Sequence, residues 1–455
     1  MTTTALTIAI TLMAISMFFI KQEYKIMVLW LSLMCCSQFP ELQTIGVLLN
    51  VPTCFFLSEF KRIRSTLRYF NKAWLTTILI IIIIATIILF FASPHCLEGG
   101  LKGALSLTVF ELARKYFFIL YALTCVSGMG SIESLLKVTK FAIIILTVFG
   151  IWDLIAGHSI YNEFLFAEQK DLSGRNTRLM GENFREDGRW HIHSLFKFAF
   201  DYGFTSLVSL LLSLFGLARN IVSKRQCWII IACSAFGIIM CGCRSVWISA
   251  VISIILYIML TYSFGRGGVI IISLSLLFFV LYNAIPQVQI FYSLAESAFE
   301  EETDYGSSLS QRQRSYNAVL LYWQNNKVFG NGKDYFVIDL GYGEEELVNK
   351  DLAGLEGVMM NLLLERGLVG VVAYIIFYII LLIQIYKLRY VDKETSACAL
   401  SILIAYILYA NFTGELKSVP PTLFWVGALL KILFLRKEEQ RGEIVSIETN
   451  EIAEI

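Results

Sequence analysis

The chain holds 455 residues, 57% of them apolar and only 16% charged, with 37 Lys and Arg against 36 Asp and Glu. Soluble domains run about 45 to 50% apolar and about 25% charged, so this composition excludes a water-soluble multidomain protein. A net charge of +1 excludes a general affinity for nucleic acid.

A membrane span needs about 20 predominantly apolar residues, and backbone polar groups in lipid must be satisfied within a helix or a closed barrel. The apolar runs here are continuous, so the fold class is all-α: a polytopic helical membrane protein of about 12–13 transmembrane helices. In chain order the spans fall near 4–20, 26–40, 42–58, 73–92, 104–128, 139–157, 195–217, 227–243, 245–262, 267–286, 367–386, 395–412 and 419–435. The first is read as a retained span, because residues 1–20 lack a basic segment and a small-residue cleavage site. A cleaved signal peptide is the alternative. Pro40 and Pro52 interrupt the second and third spans, which makes a re-entrant or bent element an alternative there.

Residues 1–435 form a single integral membrane domain, followed by a short charged tail, 436–455, expected to be cytoplasmic and disordered. Neither a Walker glycine loop nor an ATP-binding cassette is present. Most of the ten cysteines lie in apolar runs and read as small hydrophobes. The pair Cys241 and Cys243 is too closely spaced and lacks histidine partners for a zinc site.

Twenty Lys and Arg sit in short segments on one set of alternate loops, including Lys61 to Lys72, Lys137 and Lys140, Arg219 to Arg225, Lys387 to Lys393 and the tail. By the positive-inside rule that face is cytoplasmic. The opposite face carries two long loops, 158–194 and 287–366, the larger with amphipathic helices.

The first long loop reads Arg175-Asn-Thr-Arg178-Leu-Met-Gly181-Glu-Asn-Phe-Arg185-Glu-Asp-Gly-Arg189-Trp190-His191-Ile-His193. Simple solvation explains such charges. A binding role for Arg178, Arg185, Arg189, His191 and His193 explains better why Arg and His dominate over Lys, because the guanidinium fork grips phosphate through two hydrogen bonds. Lys197 and Asp201 follow at helical spacing as a self-neutralising pair. Arg244 lies between two apolar spans, either as an interfacial anchor or as a clamp on a lipid-linked phosphate. In the larger loop, Arg312, Arg314, Tyr316 and Trp323 share one amphipathic helix and could form a sugar and phosphate surface. Glu356 and Asn361 precede the next span without a structural reason, whereas Glu365 and Arg366 read as helix-capping residues. Glu111, Arg114, Lys115 and Asp153 fall inside apolar runs, where charge pairing within the bundle is the simplest reading.

Four segments, in order, resemble the O-antigen polymerase and ligase superfamily. They are Arg178-Leu-Met-Gly181, Cys243-Arg244-Ser245-Val-Trp247, Arg314 to Phe329-Gly330-Asn-Gly332, and Asn361-Leu-Leu-Leu-Glu365-Arg366-Gly367-Leu-Val-Gly370. Arg314 and Gly330 also fit the Arg-x15-Gly pattern of the polymerases' long periplasmic loop. The resemblance implies a GT-C-like, metal-independent inverting glycosyltransferase of the bacterial inner membrane, with its active site facing the periplasm and no cofactor. Undecaprenyl-pyrophosphate-linked oligosaccharides would be donor and acceptor, with membrane lipids, a chain-length regulator and a flippase as partners. Arg178, Arg244 and Arg314 would bind pyrophosphate, and the remaining loop residues would bind substrate. Ligases carry a histidine before the span that follows the large loop. Here the nearest match is Glu356, which favours a polymerase with Glu356 as general base, a ligase and a non-covalent glycan transporter being the alternatives.

Overall fold

In a computed structural model of the full chain, the described residues are 8, 11–35, 51–71, 75–92, 100–159, 191–196, 198–262, 265–270, 272–273, 276, 309–333, 335, 340, 350–352, 357–413 and 418–453. Their regular structure is all helix, with no strand among them. The helices are α1 Gln22–Cys35, α2 Val51–Ser58, α3 Phe60–Asn71, α4 Leu75–Phe91, α5 Gly100–Glu111, a π segment Leu112–Tyr116, α6 Phe118–Cys125, α7 Met129–Ala156, α8 Ala199–Arg219, α9 Lys224–Met240 and α10 Arg244–Thr261. After them come α11 Leu309–Trp323, α12 Val358–Lys387, α13 Lys393–Thr413 and α14 Val419–Ala453.

Helices α7, α8, α10, α12, α13 and the first two thirds of α14 are long and apolar enough to cross a membrane, and shorter apolar helices cover Tyr24–Leu33 and Thr76–Phe91. Their outward faces are what lipid requires. Phe141, Val148, Trp152 and Ile155 on α7, Val251 and Met259 on α10, and Leu368, Ile375, Ile379 and Ile383 on α12 are all exposed. A contiguous apolar surface of that extent is untenable in water. The chain is a polytopic helical membrane protein.

Packing is closest where side chains are smallest. A Cβ on Gly203 of α8 would meet Cys241 Sγ at 2.5 Å, and one on Gly237 of α9 would meet Ser206 Oγ at 2.2 Å. Small residues let these two backbones approach, since lipid supplies no hydrophobic drive between helices. At the centre, Trp30 of α1 stacks on Phe424 of α14, with ring centroids 5.4 Å apart, and donates its indole N–H to Thr139 Oγ1 of α7 at 2.7 Å. Helix α13 packs against α8, α10, α12 and α14 and is almost wholly enclosed.

One end of the bundle gathers residues expected on the cytoplasmic face. Arg219 and Arg436 both pair with buried Asp392, the second at 2.5 Å, and Arg219 also pairs with Glu394. Asp392 caps α13 as well, accepting from Thr395 N at 3.1 Å and Thr395 Oγ1 at 2.8 Å. Lys25 of α1 forms a buried ion pair with Glu59, just before α3.

Several expectations need correction. The run 104–128 carries a π segment in its middle, and its helix ends at Cys125, where Val126 turns extended. Lys137 and Lys140 lie inside α7 rather than in a loop, and Lys137 pairs with Glu133 at 2.7 Å one turn away. The tail beyond Arg436, expected to be disordered, continues α14 to Ala453, because it is rich in strong helix formers and holds no proline. The helix that ends at Lys387 begins at Val358, nine residues before the expected span, and is broken at Gly367, where that span was placed, so Glu365 and Arg366 stand just before the break.

Candidate functional site

The end of the bundle opposite Asp392 brings together the starts of α8, α10, α12 and α14 and the ends of α7, α9 and α13. Asp201, at the start of α8, accepts from Tyr409 Oη at 3.1 Å and Ser418 Oγ at 3.3 Å. Its proposed helical partner, Lys197, is outside the described residues. Residues 191–194 are inserted between α7 and the end of α9. Ile192 N donates to Met240 O at 3.0 Å, Ser194 N to the buried carboxylate of Asp153 at 2.9 Å, and Ser194 Oγ to Leu146 O at 2.6 Å. Asp153 thus anchors the returning loop.

This insertion brings His191 and His193 together, ring centroids 5.1 Å apart, and places His191 Nδ1 4.0 Å from Cys243 Sγ. Arg244, the next residue, opens α10, where helix-end N–H groups favour negative charge. Trp247, one turn on, is held by a 2.6 Å bond from its indole N–H to Ile238 O. Arg178, Arg185, Arg189 and Glu356 are outside the described residues.

Helix α11 is docked onto α12 through Val319, Leu352 and Leu364, with Ser315 Oγ bonded to Asp351 O at 2.6 Å. Arg314 is exposed and Arg312 and Tyr316 are half-buried, with Arg312 and Tyr316 on one face of the helix and Arg314 on the other. Tyr316 Oη lies 3.6 Å from the position a Cβ would take on Gly357, the residue after Glu356, and Asn411 O lies 3.1 Å from the same point. Tyr316 is therefore brought to the start of α12. Asn361 stands one turn further along, its buried Oδ1 without a hydrogen-bond partner among the described residues. Trp323, by contrast, donates its indole N–H to Lys327 O at 2.9 Å and turns the chain locally.

The turn leads to a clasp that spacing alone did not show. At Gly367 the backbone of α12 departs from helix, with φ 60° and ψ −161°. Such a break strands carbonyls before it and N–H groups after it. Segment 327–332 supplies their partners: Asn331 N bonds Leu364 O at 3.0 Å and Gly332 N bonds Glu365 O at 2.9 Å. In return, Leu368 N bonds Lys327 O at 3.0 Å and Val369 N bonds Val328 O at 3.1 Å. Gly330, with φ 75°, sits against the break, where a Cβ would lie 2.4 Å from Gly367 N. Thus the third and fourth motif segments read from sequence are one structural unit.

Beneath the clasp lies a buried charged cluster. Glu111 at the end of α5 pairs with Lys115 at 2.5 Å, as charge pairing required. The same carboxylate feels the charges of Lys333 and Arg366. Arg366 is only 5% exposed, stands within hydrogen-bonding reach of Tyr116, and has a buried Nε with no partner among the described residues. The π segment, closed by Phe117 N donating to Leu112 O at 2.9 Å, brings Lys115 and Tyr116 here. Lys333 Nζ sits 5.0 Å over the Phe90 ring at the end of α4. Among the described residues no group of His, Cys, Asp and Glu could hold a metal ion.

Residues 229–375 match the model of the family described as O-Antigen ligase, Wzy_C. The match covers about a third of the chain and takes in Arg244, α11, the clasp and Arg366. It supports the O-antigen ligase and polymerase superfamily. No curated protein and no solved structure matches the chain. For a member of that superfamily the activity supported is glycosyl transfer in O-antigen or related polysaccharide assembly, with lipid-linked saccharide as substrate.

Proposed function

We propose that the protein is a polymerase that joins undecaprenyl-pyrophosphate-linked repeat units into a surface polysaccharide at the periplasmic face of the bacterial inner membrane, within a single GT-C-like membrane domain. The observation that carries the reading is the family match over 229–375, which contains Arg244 and the whole of α11 and the clasp. In this reading the acceptor hydroxyl oxygen attacks the anomeric carbon of the donor, the bond from that carbon to the pyrophosphate oxygen breaks, and the configuration inverts. Glu356 takes the hydroxyl proton. Arg244, aided by His191, His193 and the first-loop arginines Arg178, Arg185 and Arg189, stabilises the departing pyrophosphate. Arg312, Arg314, Tyr316 and Asn361 hold the saccharide beside the start of α12, with Trp323 at the turn that ends α11.

The family's description as O-antigen ligase favours a second reading, a ligase that moves finished polymer onto lipid A core. The position of Glu356, where ligases carry histidine, is the reason to prefer polymerisation. Deletion of the gene followed by gel analysis of surface glycan separates them. Loss of a polymerase leaves core capped by a single repeat; loss of a ligase leaves uncapped core and lipid-linked polymer. Unchanged glycan would remove both readings. Arg244→Ala and Arg314→Ala are each expected to abolish chain extension with normal membrane insertion, and Glu356→Gln to lower polymer yield by about a hundredfold or more, as loss of a general base does.

A further inference from the structure

A polymerase that uses two lipid-linked saccharides handles two pyrophosphates, and they have different fates. The donor's leaves with its lipid, whereas the acceptor's stays attached throughout, so the acceptor needs an anion site that binds and does no chemistry. The cluster beneath the clasp has the character of such a site. Its residues come from α5, the π segment, the segment after α11 and Arg366 of α12, and none of them from α10 or the 191–194 insertion beside Arg244.

Three observations converge. Lys115, Lys333 and Arg366 all bear on the carboxylate of Glu111, with Glu365 also acting on Arg366, so three cations converge on one buried place. Arg366 Nε is buried and has no hydrogen-bond partner among the described residues, so its fork has a donor to spare. An apolar groove of about 330 Å³ runs from the clasp down α4 and α12, lined by Val328, Leu368, Val369, Ile84, Ile81 and Ile376. A chain lying in that groove ends, at the clasp, beside Lys333 and the end of α4, where Lys333 N bonds Leu89 O at 3.3 Å.

We propose that Lys115, Lys333 and Arg366 bind the pyrophosphate of the acceptor lipid, with its isoprenyl chain in the groove between α4 and α12. Tyr116 holds the Arg366 guanidinium in place. Glu111 keeps Lys115 pointed at the site and limits its affinity, so that a product lipid can leave. The proposal rests on the polymerase reading for its choice of ligand, but its test needs no sugar and no polymer.

Native mass spectrometry of the full chain in detergent, titrated with farnesyl pyrophosphate, counts bound ligands. The wild type is expected to take two, Arg366→Met and Arg244→Ala one each, and the double variant none. The remaining affinity of Arg366→Lys is expected to be at least about tenfold weaker at the lost site, since Lys cannot offer the fork. If Arg366→Met does not fold, Lys333→Met, whose side chain is half-exposed, is expected to weaken the same site by a similar factor. Parallel titrations with inorganic pyrophosphate and with phosphatidylglycerol separate a free anion and a bulk lipid from an isoprenyl pyrophosphate. Two ligands retained by Arg366→Met, a single wild-type ligand lost with Arg244→Ala, or occupation by phosphatidylglycerol in preference to farnesyl pyrophosphate would each overturn the assignment. If both ligands bind as expected while deletion of the gene leaves polymer length unchanged, the anion site stands and the polymerase reading falls.

Discussion

Gly330 and Gly367 face each other across a gap that admits no side chain, and both have positive φ. Alanine at either one must clash with backbone and also adopt a left-handed conformation, a penalty of about 2 kcal/mol or more. Gly330→Ala and Gly367→Ala are therefore expected to lower the thermal unfolding midpoint in detergent and to expose segment 309–332 to limited proteolysis. An equivalent change at Gly103, whose Cβ would meet nothing within 4 Å, is expected to do neither. The sequence displayed both clasp glycines as motif members, but their pairing was invisible, because a backbone contact between positions 37 residues apart leaves no local periodicity. The approach of Arg366 to Tyr116 and the Glu111 carboxylate was invisible for the same reason.

Among the elements, α13 depends most on a single charge. Asp392 caps its N-terminus and receives Arg219 and Arg436 from two other helices. Replacing Asp392 by Asn keeps a capping oxygen but removes the carboxylate that Arg436 pairs with and leaves Arg219 only Glu394, so a loss of about 2 kcal/mol or more is expected in thermal unfolding. Helix positions were largely readable from sequence: α8, α9, α10 and α13 each begin and end within a few residues of the apolar runs that announced them. Interruptions were not. The π segment and the kink at Gly367 are imposed by tertiary partners, the first by the polar cluster it carries and the second by segment 327–332. The charged residues Glu111, Arg114, Lys115, Glu365 and Arg366 mark both places in the sequence without showing how the backbone changes there. The tail was misread because its charge suggested solvation, although charged Glu, Lys and Arg are also good helix formers.

At the scale of the whole molecule, the two ends differ in character. One holds the Arg219, Asp392 and Arg436 network, and the other holds the inserted histidines, α11 and the clasp. If the first is cytoplasmic, a membrane-impermeant thiol reagent applied to spheroplasts is expected to label Gln324→Cys in a cysteine-free background at once, and Lys224→Cys only after permeabilisation. Labelling of both from the same side, or in the reverse order, would contradict the orientation. Both positions are exposed, so access and not burial decides the result.

The clasp also bears on how the chain enters the bilayer. Segment 327–332 precedes α12 in synthesis, so the partners for the broken backbone at Gly367 exist before that helix is presented to the membrane. Without them, stranded N–H and C=O groups near the lipid boundary each cost several kcal/mol. Helix α12 is thus expected to insert less completely when expressed alone than when preceded by residues 309–332, a difference that a glycosylation-mapping insertion assay reads directly. The glycines at the break then act during biogenesis as well as in the finished fold, making the correct order of translocation a condition for completing the bundle.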